Sequence, residues 1–198
     1  MGAHGHTWSS GTALGSVASA VAHGSACPVL LHRTVNPLDV RHTGVTVGID
    51  GGPGSRQVMT AAAVEARRRA VPLTVVHTWR QLTQDATHKL RWLLDPETTA
   101  ASETAVVDEL ATELRLAHPE LPLEAVQLTG SAGPALVEAG DAAALLVIGR
   151  PAVPSGQCPR ATTHEVSSRS RVPVLLVPLP AVDHTDVVAD QPVLADRV

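Results

Sequence analysis

Phenylalanine and tyrosine are absent from the 198 residues, and Trp8, Trp79 and Trp92 are the only tryptophans. A core must therefore be built from Val, Leu, Ala and Ile, which a hydrophobic fraction of 44% supplies in sufficient number. Lysines are also few, and the formal net charge is -4. Nucleic-acid binding requires clustered positive charge and, for single strands, aromatic stacking platforms, so this composition argues against it. The two cysteines, Cys27 and Cys158, make no CxxC metal pattern and are too few for a disulfide scaffold. Both read as small buried or loop residues of a reducing compartment, with Cys27 expected to pack against the terminal strand. No apolar run approaches the ~20 residues of a membrane helix. Ala13 to Ala22 has the composition of a signal-peptide core, but no Lys or Arg precedes it. The positively charged region of such a signal is missing, so the segment reads as a core helix and the expected location is cytoplasmic.

What is present is an alternation of strand and helix patterns. Gly44 to Asp50 (GVTVGID) is a short, nearly continuous apolar run ending in a Gly-rich turn, as in a strand buried on both faces. Ser55 to Ala70 places Val58, Ala62 and Ala66 on one helical face, with Arg67, Arg68 and Arg69 in the last turn, where cations offset the helix dipole. Pro72 to Thr78 is a second strand. A polar stretch leads into an amphipathic helix from Glu97 to Ala117, with Val107, Leu110 and Leu114 at helical spacing. Leu123 to Thr129 reads as a third strand, Gly133 to Ala139 as a short helix, Ala144 to Gly149 as a fourth strand, Arg160 to Arg169 as a helix and Pro173 to Val177 as a fifth strand. This order predicts an α/β domain with a doubly wound parallel sheet. Ligands of such sheets bind beyond the carboxyl ends of the strands where the strand order reverses, which singles out the residues after Ile49, Val76 and Ile148. Thr34 to Thr43 reads as a linker, and Leu179 to Val198, rich in Pro, Asp and Val, as a loose tail.

An internal repeat adds a second layer. Cys27-Pro28-Val29-Leu30-Leu31 is echoed by Val172-Pro173-Val174-Leu175-Leu176, with a helical segment upstream of each. Upstream of the first copy, Gly2, Gly5, Gly15 and Ser16 follow the spacing Gly-x2-Gly-x9-Gly-Ser. Glycines spaced this way let backbone N–H groups approach phosphate oxygens, and a helix beginning at Gly15-Ser16 adds its dipole and a hydroxyl. With GSVASAVAHGSACPVLL in register behind it, this segment resembles the triphosphate loop, last helix and terminal strand of the universal stress protein family.

Gly44 to Pro178 resembles the same family over its whole length, through VTVGIDGGPGS, EARRRAVPLTVVHTW and GPALVEAGDAAALLVIG. The resemblance implies a five-stranded parallel sheet of the adenine-nucleotide alpha hydrolase-like type, an ATP pocket and dimers paired through terminal strands. It divides the chain into a C-terminal fragment of a first universal stress domain (1–33), a linker (34–43), a complete domain (44–180) and a tail (181–198). It also implies that Asp50 contacts a nucleotide, that the backbone around Val76 and Thr78 holds adenine, and that Gly149 opens the phosphate loop. The sequence then departs from the pattern. After Gly149 it reads RPAVPSGQCPRATTHEV, with Ala152 where a second glycine belongs and no Gly-Ser pair at the expected distance. Pro151, Pro154 and Pro159 remove three backbone donors. ATP is therefore expected to bind weakly or not at all.

Other constellations have simpler readings. Gly48, Gly51, Gly52 and Gly54 fail the G-x-G-x-x-G spacing and read as a tight turn. Asp50 is equally suited to contacting a ligand and to capping that turn. His77 reads as a packed imidazole and His4-x-His6 as part of an irregular terminus rather than a metal site. No set of nucleophile, base and orienting group stands out. A non-enzymatic regulatory or stress-protective module is thus expected, a nucleotide-dependent hydrolase or transferase on the related fold being the alternative. Val29 to Leu31 should pair with Val174 to Val177, giving an intrachain pseudo-dimer or serving a homo-oligomer. The glycine loop at residues 2–12 is expected to be poorly ordered for want of an anchoring strand.

Overall fold

Continuous branched apolar runs have become strands, and the amphipathic stretches between them helices. The computed structural model describes residues 14–32, 43–79, 96–151 and 161–180. In chain order these form α1 (Ser16–Gly24), β1 (Val29–Leu31), β2 (Val45–Ile49), α2 (Ser55–Arg69), β3 (Leu73–Trp79), α3 (Pro96–Ala117), β4 (Leu123–Thr129), α4 (Ala132–Gly140), β5 (Leu145–Pro151), α5 (Ala161–Arg169) and β6 (Val174–Leu179). The linker over 34–42, the glycine loop over 2–12, Cys158 and the tail from 181 lie outside the described residues.

The sheet order is β1-β6-β5-β2-β3-β4. The expected five-stranded parallel sheet is there as β2 to β6, and β1 adds a sixth strand antiparallel to β6. The register Val29↔Leu176, Leu30↔Leu175, Leu31↔Val174 joins the two copies of the repeat as the sequence led us to expect. Leu145, Leu146, Val147 and Ile148 are all buried, which explains why β5 reads as an unbroken apolar run: alternate side chains enter two separate cores. One core packs α2 and α3 on Val45, Val47, Val75 and Val147. The other gathers Ala22 of α1, Leu136 of α4 and Val166 of α5 over Val76, Ile148, Val174 and Leu176.

The repeat is copied down to its turns. Ser25 Oγ accepts from Cys27 N–H and donates to the Cys27 carbonyl, both at 3.1 Å. Ser170 Oγ does the same with Val172, at 3.3 and 3.0 Å. Such local side-chain bonds turn the chain from helix into strand. The surroundings of the two copies differ, and this corrects one expectation. Cys27 is exposed rather than packed, whereas Val172 at the equivalent position is buried. The apolar face that Leu14, Val17, Ala18 and Val21 offer on α1 is packed only in part: Ala18 is buried and Leu14 packs against the core, while Val17 is 73% and Val21 39% exposed. Small alanines let α1 lie close on the sheet, and, among the described residues, no equivalent of α4 covers its other side.

Candidate functional site

β2 is the point where the winding reverses, with β3 and β4 on one side and β5 and β6 on the other. Crossovers leaving β2 and β5 in opposite directions part the chain at their carboxyl ends and leave a crevice. A cavity of about 160 Å³ lies there. Its floor is Gly48, Ile49 and Ile148; Asp50, Thr78 and Gly149 stand at the three strand ends. Gly54, Ser55 and Val58 come from the start of α2, Ala132 and Leu136 from α4, Thr162 and Thr163 from α5, and Leu179 from the end of β6.

Close backbone approach shapes the floor. A β-carbon on Gly48 would fall 2.6 Å from Leu136 Cδ2, so the glycine is what lets α4 seat against β2. Beyond β2 the chain turns at Gly51 with φ 75, a left-handed conformation suited to glycine. Asp50 Oδ1 accepts the Gly52 N–H at 3.0 Å and the Ser55 hydroxyl at 3.3 Å. Asp50 thus caps the turn and also lines the cavity. The first turns of α2, α4 and α5 all face the cavity, through Ser55, Ala132 and Thr162-Thr163. Their N-termini contribute positive partial charge, which favours an anionic group. Among the described lining residues Asp50 is the sole acidic or basic side chain, and the hydroxyls of Ser55, Thr78, Thr162 and Thr163 are the other polar groups.

Of the residues singled out from the sequence, Asp50, Thr78 and Gly149 are brought together. Val76 is not among the lining residues; it is buried in the core with Leu136 and Ile148, its backbone in register between Gly48 and Val126. Gly15 and Ser16 sit at the start of α1 and do not line the cavity; Ser16 is exposed and a β-carbon on Gly15 would meet nothing within 4 Å. Gly2 and Gly5 lie outside the described residues. His77 is buried opposite Ile49 and Gln127, as a packed imidazole should be. Two boundaries move. The loop after Gly149 begins later than expected, because β5 runs on to Pro151, which pairs in register with Leu179. Pro151 fits there because β2 has already ended on its other side, at Gly48↔Ile148. Leu179, read as tail, is the last residue of β6 and a wall of the cavity. Sequence reasoning missed Ser55, Thr162, Thr163 and Leu179. A hydroxyl residue in the first turn of both α2 and α5 was a usable signal, whereas nothing in the local pattern marked Leu179.

The profile of the universal stress protein family matches residues 1–33 and 43–178. A universal stress protein of Mycobacterium tuberculosis is 32% identical over 143 residues, which cover 69% of this chain and 45% of that relative. A second from the same organism is 26% identical over 151 residues, covering 75% and 48%. The chain spans about half the length of these curated relatives. Among solved structures, a universal stress protein from Archaeoglobus fulgidus aligns with TM-score 0.54 and 18% identity, over 69% of this chain and 93% of that one. A universal stress protein solved in complex with cAMP aligns with TM-score 0.51 and 23% identity, over 70% and 98%. A functionally unknown protein from Pseudomonas aeruginosa reaches TM-score 0.65 at 18% identity, over 90% and 61%. These likenesses establish a common fold.

Proposed function

The chain belongs to the universal stress protein family, and from that premise we propose that it is a non-enzymatic stress-response module with a reduced adenine-nucleotide pocket. The observation that carries this reading is the cavity at the reversal point of the sheet, which joins Asp50, Thr78 and Gly149 from three strands. That is the place where open α/β sheets take ligands. A structural neighbour is described as a complex with cAMP, which makes an adenine ligand the natural class to consider. The cavity lies below the range of about 300–1,000 Å³ for sites enclosing a whole small molecule. The loop after Gly149 carries prolines where backbone donors would hold phosphates. Losing several charge-assisted bonds, at about 1.5–3 kcal/mol each, lowers affinity by orders of magnitude.

The second element is assembly. The α1–β1 segment supplies, within one chain, the edge pairing that terminal strands of this family make between subunits; residues 1–33 read as the C-terminal part of a first domain and 44–180 as a second. Covering β6 also removes an apolar edge open to aggregation.

Calorimetric titration of the full chain with ATP and Mg²⁺ tests the pocket. We expect an affinity weaker than micromolar and no phosphate release above the uncatalysed background. A micromolar Kd overturns the reduced-pocket reading, and sustained turnover overturns the non-enzymatic one.

A further inference from the structure

Leu179 occupies the end of the cavity that its glycines leave open. A β-carbon on Gly54 would lie 2.6 Å from Leu179 Cδ1, and one on Gly149 would lie 2.9 Å from the same atom. The isobutyl group therefore rests on two backbone positions bare of side chain, one preceding α2 and one near the end of β5. Gly54 directly precedes α2, one of the three helices whose N-termini face the cavity. Leu179 is held there from behind. Gln57 Nε2 donates to the Pro178 carbonyl at 3.0 Å, and Pro151 pairs with Leu179 across the ladder. The Asp50 carboxylate already takes the N–H of Gly52 and the hydroxyl of Ser55 at the same end.

The remaining space has a definite character. About 160 Å³ is close to an apolar cavity of about 150 Å³ that holds one benzene, so the space between the lining residues takes one ring. Leu136 and Ile148 supply apolar contact, while Thr78 and Thr163 bring hydroxyls. Thr163 is only 3% exposed and lines the cavity, so its hydroxyl is available to a polar group of a ligand. A carboxylate with no lysine or arginine beside it among the described lining residues disfavours a polyanion and welcomes hydroxyl or amino donors.

We propose that Leu179 is a specificity-determining residue: it closes the cavity over Gly54 and Gly149, so that the site takes an uncharged nucleoside through its base or sugar ring and turns away nucleoside polyphosphates. This rests on the reading of the cavity as an adenine site. The test is titration calorimetry of the full chain with adenosine and, separately, ATP with Mg²⁺, for the wild type, Leu179→Ala and Leu179→Met. In the wild type adenosine binds at least tenfold more tightly than ATP. Leu179→Ala shifts that ratio at least tenfold toward ATP, and Leu179→Met, which keeps the bulk, leaves it within threefold. Leu179 is only half-buried, so the truncation is expected to keep a cooperative melt; if it does not, Leu179→Val shifts the ratio in the same direction by a smaller factor. Wild-type ATP binding as tight as adenosine, or an unchanged ratio in the truncated variants, overturns the role of Leu179 while leaving the adenine site intact. Binding of neither ligand to any of these proteins overturns both.

Discussion

The buried guanidinium of Arg150 donates through Nη1 to the carbonyl oxygen of His23 at 2.6 Å, fastening the end of β5 to the last turn of α1. Its Nη2 reaches the Ser25 carbonyl as well, so one planar fork closes two carbonyls at a helix C-terminus. A cation is favourable at that pole of the dipole, while burial pulls the Arg150 pKa below its ordinary value. Arg150 follows Gly149 directly, so the same short stretch of β5 serves the cavity and the repeat junction.

Replacing Arg150 with Met should therefore loosen α1. Two bonds from a charged donor are lost, but the desolvation of the charge is relieved too, so a net loss of about 1–3 kcal/mol is expected. Hydrogen exchange should quicken over residues 16–31 while β2 and β3 stay protected. Arg150→Lys, a point charge without the fork, should restore only part of the protection. Unchanged exchange in α1 would contradict the role assigned to this side chain.

Pairing between β1 and β6 should govern the oligomeric state. Leu31 is fully buried beside Val174, and Leu31→Ala should cost about 2–5 kcal/mol. Leu31→Asp should detach β1 and bare the apolar edge of β6, which then pairs with another chain. Light scattering should show a higher mass for the Asp variant than for the wild type. An equal mass, with β6 amides still protected, would speak against β1 as an edge cover.

Gly48 and Leu136 should prove energetically coupled. Gly48→Ala forces the Leu136 methyls away from β2 and should destabilise by about 1–3 kcal/mol. Leu136→Ala leaves a gap of its own, yet the double variant should melt higher than the sum of single losses allows. Strict additivity in a double-mutant cycle would refute the contact.

Ala70 ends α2 in the left-handed region, at φ 53 and ψ 45, with its N–H on the Arg67 carbonyl at 3.1 Å. An L side chain there is strained, whereas glycine is not. Ala70→Gly should raise stability by about 0.5–1 kcal/mol despite the added freedom of the unfolded chain. A lower melting temperature would count against the assigned cap.

Acid should remove one surface contribution. Arg56 hydrogen-bonds both oxygens of Glu113 at 2.8 and 2.7 Å and holds that carboxyl below its ordinary value of 4.5. A depressed carboxylate stabilises the fold above its unfolded pKa, and the gain disappears as pH falls through the folded one. Glu113→Gln should thus differ slightly from the wild type at neutral pH and converge with it in acid below that value. Both side chains are exposed, so high salt should erase the difference as well.

Much of the fold was legible in the chain. Runs such as Ala144 to Gly149 must be buried on both faces, and such strands separated by amphipathic helices leave a parallel sheet as the economical arrangement. The repeat of Cys27 to Leu31 in Val172 to Leu176 was equally plain, and the family resemblance implied the pairing of β1 on β6. The reversal of winding pointed to the positions after Ile49, Val76 and Ile148, and the family resemblance to Asp50, Thr78 and Gly149. What the local pattern left open was which faces would be covered. Val21 and Val166 hold equivalent places in the two copies, yet Val21 is 39% exposed and Val166 is 0%, because α4 packs beside α5. The same holds at the cavity: Leu179 looked like the start of a tail, and only the ladder to Pro151 and the bare backbone of Gly54 and Gly149 make it a wall. Periodicity is a property of neighbours in the chain, so the sequence by itself determined the elements and their order. Enclosure depends on what distant segments bring to the same point in space, so the tertiary structure alone decided how far the cavity is filled.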